Sequence, residues 1–189
     1  MKSAEKLIII VCFLFQAPCP SNLPTFTWNF LPEERRQEQN HNTSFSSSQL
    51  NFSATHLHHG VDFTCTATYQ LQNKTKSAQS SLTLHVLYAP QLSPSSSCNT
   101  TQDLIVCSCE VHGNPSPKLE WRLSGQTPVS PSEVISIQEE SASNTTLRSF
   151  ISIRQSVKNM STLQCVVSNK LGVTSQVFSF VSQCSADKG

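Results

Sequence analysis

The sequence of 189 residues predicts an all-β protein made of two tandem sandwiches of antiparallel strands. Three observations lead to this prediction. Short runs alternate apolar and polar residues with period two, as strands with one buried and one solvated face do. No run after residue 20 has the period of a helix. The order of strands, tryptophan and cysteines is similar in the two halves, which indicates an internal repeat with a boundary near residues 88–91.

The alternating runs place the strands of each half. In the first half they predict strands at residues 25–30, 49–53, 61–67 and 80–87. In the second half they predict strands at residues 103–111, 118–123, 134–138, 145–154, 162–168 and 173–180. Residues 88–94 interrupt the pattern and indicate a linker or an edge strand, because their prolines cannot donate to a β-ladder. Residues 113–117 indicate a turn, and residues 169–172 a hairpin turn in which Gly172 can adopt a positive φ.

Composition and charge exclude several classes of protein. Charged residues make up only 13% of the chain and the formal net charge is +1, unlike a disordered acidic or basic tail. No basic block is present, so we expect no nucleic-acid partner bound through phosphates. The chain has eight cysteines, a number typical of a secreted protein, at positions 12, 19, 65, 98, 107, 109, 165 and 184. These cysteines form no pair of C-x-x-C units, which excludes a zinc ribbon.

Six N-x-[ST] sequons indicate the same compartment as the cysteines. Their asparagines are Asn42, Asn51, Asn73, Asn99, Asn144 and Asn159. Asn114 is not a candidate, because a proline follows it. The sequons outnumber those expected by chance in a chain of this length, so we expect an extracellular glycoprotein.

The start of the chain has two interpretations. Lys2 and Lys6 precede a short apolar run at residues 7–15, as in a secretory signal peptide of residues 1–17 that is cleaved after Ala17. In the alternative, residues 8–15 form a buried strand whose Cys12 pairs with a later cysteine, a surrogate strand B. The run is too short for a membrane span and no other apolar run is long enough, so we expect no transmembrane segment in this chain.

Cys109, Trp121 and Cys165 have the order and spacing of an immunoglobulin sandwich. In that fold a cysteine on strand B pairs with one on strand F, and a strand C tryptophan packs on the bridge. The bridge closes a long loop, so it should stabilise the domain by about 4 kcal/mol. We therefore expect an immunoglobulin-like domain at residues 90–184, followed by a tail at residues 185–189.

The first half offers two candidates for its strand B cysteine. It retains Trp28 and Cys65, but Cys19 lies too close to Trp28 for strands B and C with a turn between them. The separation of Cys12 from Trp28 is sufficient. If residues 1–17 are cleaved, the first domain, residues 18–89, has no strand B and no bridge. We therefore expect its sandwich to be incomplete at the N-terminal end.

Several segments resemble the sialic-acid-binding immunoglobulin-like lectins, the Siglecs. The segments are CPSNLPTFTW at residues 19–28, HHGVDFTC at 58–65, LHVLYAPQ at 84–91, and Cys98 with CSC at 107–109, GNPSP at 113–117 and Trp121. The first three are similar to the strand C, F and G regions of the second Siglec domain. The last set resembles the final domain of a family member. The likeness covers roughly residues 19–181.

The resemblance implies C2-type domains with a set of disulfides and core tryptophans. The implied pairs are Cys109–Cys165 between the sheets, Cys98–Cys107 between the first strand and strand B, and Cys12–Cys65 if Cys12 is retained, with Trp28 and Trp121 in the cores. In the family, the residue that matches Cys19 pairs with a cysteine of a preceding V-set domain. Cys184 is left over, as a free or intermolecular thiol.

The resemblance also implies a function with one restriction. Siglecs bind sialylated glycans in the V-set domain, through an F-strand arginine suited to the ligand carboxylate. The residues flanking Cys65 and Cys165 include no arginine, so we assign no lectin site. We expect two spacer domains of a cell-surface adhesion or recognition glycoprotein, whose partners are sialylated glycoconjugates or cell-surface proteins. The alternatives are a secreted, soluble two-domain glycoprotein that acts by protein–protein contact, and a truncated gene model.

Other chemistry has little support in the sequence. His56, His58 and His59 cluster without carboxylate or cysteine ligands, so we expect a solvated loop and no metal site. No G-x-S-x-G motif or positioned nucleophile occurs, so we expect neither an enzyme nor a cofactor. Residues 33–36, with mixed charges, predict a solvated turn. Phe178 and Phe180 alternate on the last strand and are expected in the core.

Overall fold

The computed structural model describes residues 6–15, 23–33, 35–42, 44–155 and 162–179, which fall into two compact units, Met1–Val86 and Leu87–Gly189. The strands of unit 1 are β1 (Lys6–Phe15), β2 (Thr25–Trp28), β3 (Arg35–His41), β4 (Phe45–Ala54), β5 (Asp62–Leu71) and β6 (Lys74–Thr83). Those of unit 2 are β7 (Tyr88–Leu92), β8 (Ser97–Thr100), β9 (Leu104–Asn114), β10 (Lys118–Leu123), β11 (Ile135–Ser143), β12 (Thr146–Arg154), β13 (Thr162–Asn169) and β14 (Gly172–Ser179). A 3-10 turn, η1, covers His56–His58, and no helix of the described ranges has the length and apolar character of a membrane span. The predicted all-β class with two tandem sandwiches is confirmed.

Unit 1 consists of two three-stranded antiparallel sheets with the orders β1-β4-β3 and β2-β5-β6. β1 pairs with β4 along its whole length, from Lys6 opposite Ala54 to Phe15 opposite Phe45. The start of the chain is therefore arranged as in the second interpretation above. Cleavage after Ala17, which lies outside the described residues, stays a prediction.

Unit 2 has the same plan with additional strands on one sheet. The first sheet has the order β11-β12-β9-β7, with β8 also paired to β9, and the second has the order β10-β13-β14. Pro90 lies in β7, and the register of β7 on β9 shifts between Tyr88 and Gln91. Proline is tolerated there because β7 is an edge strand, one of the two roles expected for residues 88–94.

The two cores follow from alternation along the strands. In β9 the inward positions are Ile105, Cys107, Cys109 and Val111, all buried, and their neighbours point outward. In unit 1, the buried rings of Phe52 and Phe63 stack with their centroids 5.3 Å apart. Burying apolar surface at about 25 cal/mol per Å² is the main source of stability in such a sandwich. The core of each unit therefore lies between its own two sheets.

Several elements differ from the sequence prediction. Arg35 and Arg36 begin β3 and do not lie in a solvated turn, which was therefore a wrong prediction for these two residues. Nearly every side chain of β3 is exposed, so the strand has no apolar alternation that could reveal it. β6 begins at Lys74, and β9 continues through Gly113 and Asn114 into the predicted turn.

Gly172 does not have a positive φ. The described glycines with positive φ are Gly60 and Gly125, whereas Gly172 is the first residue of β14. A Cβ atom at position 172 would lie 3.1 Å from the Cβ of Ala89, closer than ordinary van der Waals contact. The lack of a side chain at Gly172 therefore favours the close approach of β14 to β7. The predicted hairpin turn at residues 169–172 is confirmed, because β13 ends at Asn169 and β14 begins at its register partner Gly172.

Candidate functional site

Three disulfides occur in the part of the chain that the structure describes: Cys12–Cys65, Cys98–Cys107 and Cys109–Cys165. The first joins β1 to β5 and the third joins β9 to β13, with Cα atoms 6.3 and 6.6 Å apart, so each ties the two sheets of its unit together. The second links residues paired on neighbouring strands, β8 and β9, with Cα atoms 4.0 Å apart. Cys19 and Cys184 lie outside the described residues.

Each unit contains the same four-residue core arrangement, which we call the Cys-Ser-Trp-Cys cluster. Its members are Cys12, Ser48, Trp28 and Cys65 in unit 1, and Cys109, Ser149, Trp121 and Cys165 in unit 2. In both, the first cysteine is the register partner of the serine, and the tryptophan is the register partner of the second cysteine. The tryptophan Nε1 donates to the serine Oγ at 3.0 Å in unit 1 and 2.9 Å in unit 2.

Ser48 and Ser149 were missed by sequence reasoning. Both are fully buried, because their strands point them at the core: Ser149 lies between Leu147 and Ile151, and Ser48 between Ser46 and Leu50. A buried indole N–H needs an acceptor, since leaving it unpaired costs free energy. A lone serine at an inward position among Leu147, Ile151 and Ile153 is the signal that could have located Ser149, whereas Ser48 stands in a run of three serines that gives no such signal.

The sequons occupy turns and strands of several sheets. Asn42 lies between β3 and β4, Asn51 in β4, Asn73 in the β5–β6 hairpin, Asn99 in β8 and Asn144 between β11 and β12, whereas Asn159 lies outside the described residues. In unit 2 both described sequons belong to the sheet that contains β9. The opposite sheet, β10-β13-β14, carries none among its described residues.

The arginines are Arg35 and Arg36 on β3, Arg122 on β10, and Arg148 and Arg154 on β12. β5 and β13, the strands that bear the second cysteine of each cluster, contain no arginine. Arg148 donates through Nε and Nη2 to the carboxylate of Glu110 on β9. Arg122 Nε lies 3.0 Å from the Glu120 carboxylate. Two of the guanidinium groups are therefore already paired with acidic side chains.

Among the residues that the structure describes, Glu120 has a carboxyl group whose pKa departs from its usual value. A hydrogen bond from the Thr127 hydroxyl, at 2.8 Å, and the neighbouring Arg122 hold the pKa of the Glu120 carboxyl below its usual value. Since the Glu120 side chain is exposed, this marks a solvated hydrogen-bonded pair on the outer face of β10. It has no features of a proton-transfer site.

Two of the clustered histidines, His58 and His59, make more contacts than a solvated loop would give them. His58 in η1 accepts a hydrogen bond from the Thr55 amide at 2.9 Å, and its ring lies 5.2 Å from that of Phe52. His59 accepts from the Val86 amide at 3.2 Å. In the described residues, no group of three or more potential ligands is arranged to hold a metal ion. His58 and His59 therefore help to fix the loop before β5, and of the three histidines His56 is the exposed one.

The outer face of sheet β10-β13-β14 combines charged and apolar side chains. Its members are Lys118, Glu120 and Arg122 on β10, Gln164, Val166 and Ser168 on β13, and Val173, Ser175 and Val177 on β14. Val173 and Val177 are 71% and 55% exposed. Phe178, which points inward from β14, is buried as expected, and Phe180 lies outside the described residues.

Comparison with known proteins identifies the architecture. Residues 93–180 match the family profile of the Immunoglobulin I-set domain. The fold is that of tandem immunoglobulin-like domains. In immunoglobulin terms, β1 to β6 are strands B to G, and in unit 2 β7 is strand A and β9 to β14 are strands B to G. Among the described residues, unit 1 has no counterpart of strand A.

Among the solved structures that resemble the chain are two of low sequence identity. A chain of the complex between Dpr2 Ig1-Ig2 and DIP-Theta Ig1-Ig3 is 15% identical, with a TM-score of 0.54 over 93% of this chain and 65% of that chain. The full Ig1-Ig3 ectodomain of mouse nectin-like molecule 4 is 19% identical, with a TM-score of 0.57 over 93% of this chain and 58% of that chain. This chain thus spans less than two thirds of each solved chain. The sequence matches no curated protein.

Proposed function

We propose that the chain is part of a cell-surface recognition glycoprotein of the Siglec type, in which its two immunoglobulin-like domains act as spacers. The observation that carries the spacer role is the absence of arginine from both F strands, β5 and β13. Recognition of a sialic acid carboxylate by this family uses a guanidinium at that place. Without it, neither domain has the family's sugar-binding group.

The arginines of the chain lie on strands other than the F strands, and two of them are already paired. Arg148 and Arg122 are paired with Glu110 and Glu120, so their charge is already neutralised locally. The outward residues next to Cys65 are threonines, which offer hydroxyl groups and no positive charge. A bidentate contact to a carboxylate needs a free guanidinium fork. A spacer role is therefore better supported than direct glycan binding.

The cysteine arrangement of unit 2 supports the Siglec assignment. The bond Cys98–Cys107 lies two residues from the sheet-to-sheet bridge at Cys109, as the likeness implies. Within the family, the likeness of this domain is closest to the last domain of myelin-associated glycoprotein. The C2-type label of both domains and the identity of the ligand are part of the proposal.

An extracellular location agrees with the disulfides of both units. Disulfides persist in oxidising compartments, and both sandwiches carry a buried one. The mouse nectin-like molecule 4 structure is an ectodomain, and the Dpr2 structure is a complex with DIP-Theta. By analogy we place this chain on or outside the cell surface, where it acts by binding and not by catalysis.

Two measurements test the proposal. A sialylated-glycan array probed with the full chain should give no sialidase-sensitive signal, and saturable, sialidase-sensitive binding would contradict the spacer role. Long-read sequencing of the transcript tests the Siglec type. We expect sequence for a V-set domain before the Cys19 codon and for a membrane span after the Cys184 codon. A transcript that starts at Met1 and stops after Gly189 would contradict this assignment.

Protein–protein contact by a secreted two-domain protein is the second candidate. The outer face of β10-β13-β14 favours it, because Val173 and Val177 are exposed there and no described sequon of unit 2 lies on this sheet. Cell-surface binding of the full chain that persists after sialidase treatment and is lost in Val177→Asp would support this candidate. Equal binding by Val177→Asp and wild type would show that this face does not mediate the binding.

A further inference from the structure

The outer face of β1 is an exposed apolar stripe. Its members, with their exposed fractions, are Leu7 at 65%, Ile9 at 56%, Val11 at 36% and Phe13 at 59%. They alternate with Ile8, Ile10 and Cys12, which pack against the core. A contiguous apolar surface of this kind on an extracellular domain requires a covering group or carries a risk of association. β1 is also an edge strand, which increases that risk.

Asn51 of β4 is the direct neighbour of this stripe. It is the register partner of Ile9, and Leu7 and Val11 are the diagonal neighbours of the same pair. Directly opposite residues have Cβ atoms about 4.5–5.5 Å apart and diagonal ones about 7–8 Å apart. Asn51 points outward, because Leu50 and Phe52 on either side of it are buried. A group attached to Asn51 therefore starts within contact distance of the centre of the stripe.

The surface beside Asn51 is concave. An open depression of about 530 Å³ is lined by Leu7 and Ile9 on one side, by Asn51 in the middle, and by Arg36 and Glu38 of β3 on the other side. The charged residues of β3 prefer water, whereas the side chains of β1 gain free energy when covered. A flexible group in this depression is therefore drawn toward β1.

The Asn51 side chain is accessible to N-glycosylation at its Nδ2 atom. Its Oδ1 accepts a hydrogen bond from Gln49 Nε2 at 2.8 Å. In the described part of the chain nothing accepts a hydrogen bond from its Nδ2, which is the atom that N-glycosylation modifies. Ser53, two residues later and on the same face, completes the sequon.

We propose that an N-linked glycan on Asn51 covers the apolar stripe of β1 and keeps this face of unit 1 monomeric. The inference rests on the extracellular placement in the proposed function, because the modification requires the secretory pathway. Transfer from a lipid-linked oligosaccharide diphosphate forms the bond from Nδ2 to C1 of the first N-acetylglucosamine. Nδ2 loses a proton and the lipid diphosphate leaves. The C–H face and acetyl methyl of that sugar contact Ile9, Leu7 and Val11, and the outer sugars face water.

The test uses the full chain, expressed from Met1 in mammalian cells and collected from both medium and membranes. Peptide mass spectrometry reports the N-terminal residue and the occupancy of every sequon. Asn51→Gln and Ser53→Ala each remove this one sequon by a different change, and Asn144→Gln removes an exposed turn sequon as the control. Fluorescence of the dye bis-ANS measures exposed apolar surface, and sedimentation velocity measures association.

We expect Asn51 to be occupied in a chain that retains residues 6–15. Both unglycosylated variants should bind more bis-ANS and sediment faster than wild type, whereas Asn144→Gln should match wild type. Adding Ile9→Thr to Asn51→Gln should reverse most of the increase in both readouts, because it removes the apolar centre of the stripe while keeping a β-branched strand residue.

Several outcomes would overturn the inference. These are an unoccupied Asn51 beside other occupied sequons, loss of residues 6–15 from the mature chain, or variants with unchanged dye binding. A glycosylated chain that dimerises through β1 would assign the stripe to a second copy instead. Occupancy of no sequon at all would be a different failure, because it removes the extracellular placement on which the proposed function depends.

Discussion

Replacing Ser149 with alanine should destabilise unit 2 by about 1–3 kcal/mol, the usual cost of leaving a buried donor without a partner. Ser149 is fully buried and Trp121 nearly so, and Nε1 donates to Oγ at 2.9 Å. The same hydroxyl donates to the backbone carbonyl of Gln138 at 3.3 Å. Water cannot easily replace the hydroxyl in a core this dense, so the indole N–H loses its acceptor.

The size change itself contributes little to this cost. Serine to alanine removes one oxygen atom, which leaves no cavity of the kind that makes large-to-small core substitutions expensive. Each kcal/mol lowers the melting temperature of a domain of 60–100 residues by about 4–8 °C. The transition of unit 2 should therefore fall by at least several degrees, and that of unit 1 should stay unchanged.

Differential scanning calorimetry of the full chain measures this prediction, with Ser152→Ala as the matched control. Ser152 lies on the same strand but is partly exposed, so its replacement should change stability by no more than about 0.5 kcal/mol. Trp121→Phe removes the N–H donor. In that background, Ser149→Ala should cost much less than it does in wild type, because the two side chains are coupled.

Two results would refute the reasoning. The first is an equal effect of Ser149→Ala and Ser152→Ala. The second is a full cost of Ser149→Ala in the Trp121→Phe background, which would mean that the serine acts through some contact other than the indole.

Three further predictions concern the bridge, a close approach and an acidic group. Cys109→Ser should abolish secretion, because losing such a bridge costs about 2–5 kcal/mol against marginal stability, and normal secretion of the variant in a pulse-chase experiment would argue against that role. Gly172→Ala should lower the melting temperature by crowding Ala89, and adding Ala89→Gly should restore it; an unchanged single variant would contradict the contact. The pKa of Glu120 in a carbon-13 NMR titration should lie below its usual value. The stabilising hydrogen bond from Thr127 to the Glu120 carboxylate is therefore present at neutral pH and is lost as the pH falls through the pKa of the folded state. Thr127→Val should raise that pKa, and no change would exclude this hydrogen bond as the cause.

Strands with one buried face were predictable from the sequence. β10 has the predicted bounds, because Leu119, Trp121 and Leu123 alternate with charged residues over its whole length. The all-β class and the tandem architecture follow from many such runs. The pairing of Cys65 with Cys12 was also among the alternatives. Only Cys12 is far enough before Trp28 in the sequence for strands B and C with a turn between them.

Features without an apolar alternation could not be predicted. β3 is polar on both faces, so period-two analysis has nothing to detect, and its pairing with β4 depends on backbone hydrogen bonds. The role of Gly172 depends on a distance to Ala89 that arises only when β14 packs beside β7. The depression beside Asn51 depends likewise on the register of three strands, two of which the sequence did not firmly place.

The bond between Cys12 and Cys65 also sets an order of events during synthesis. The two cysteines are 53 residues apart, and at about 5–20 residues per second the second follows the first by about 3–11 seconds. In that interval β1 is an apolar strand without its partner β4 for most of the time and without its bridge for all of it. The bridge of unit 1 therefore cannot form until β5 has been made, whereas every strand of unit 1 is synthesised before the first strand of unit 2.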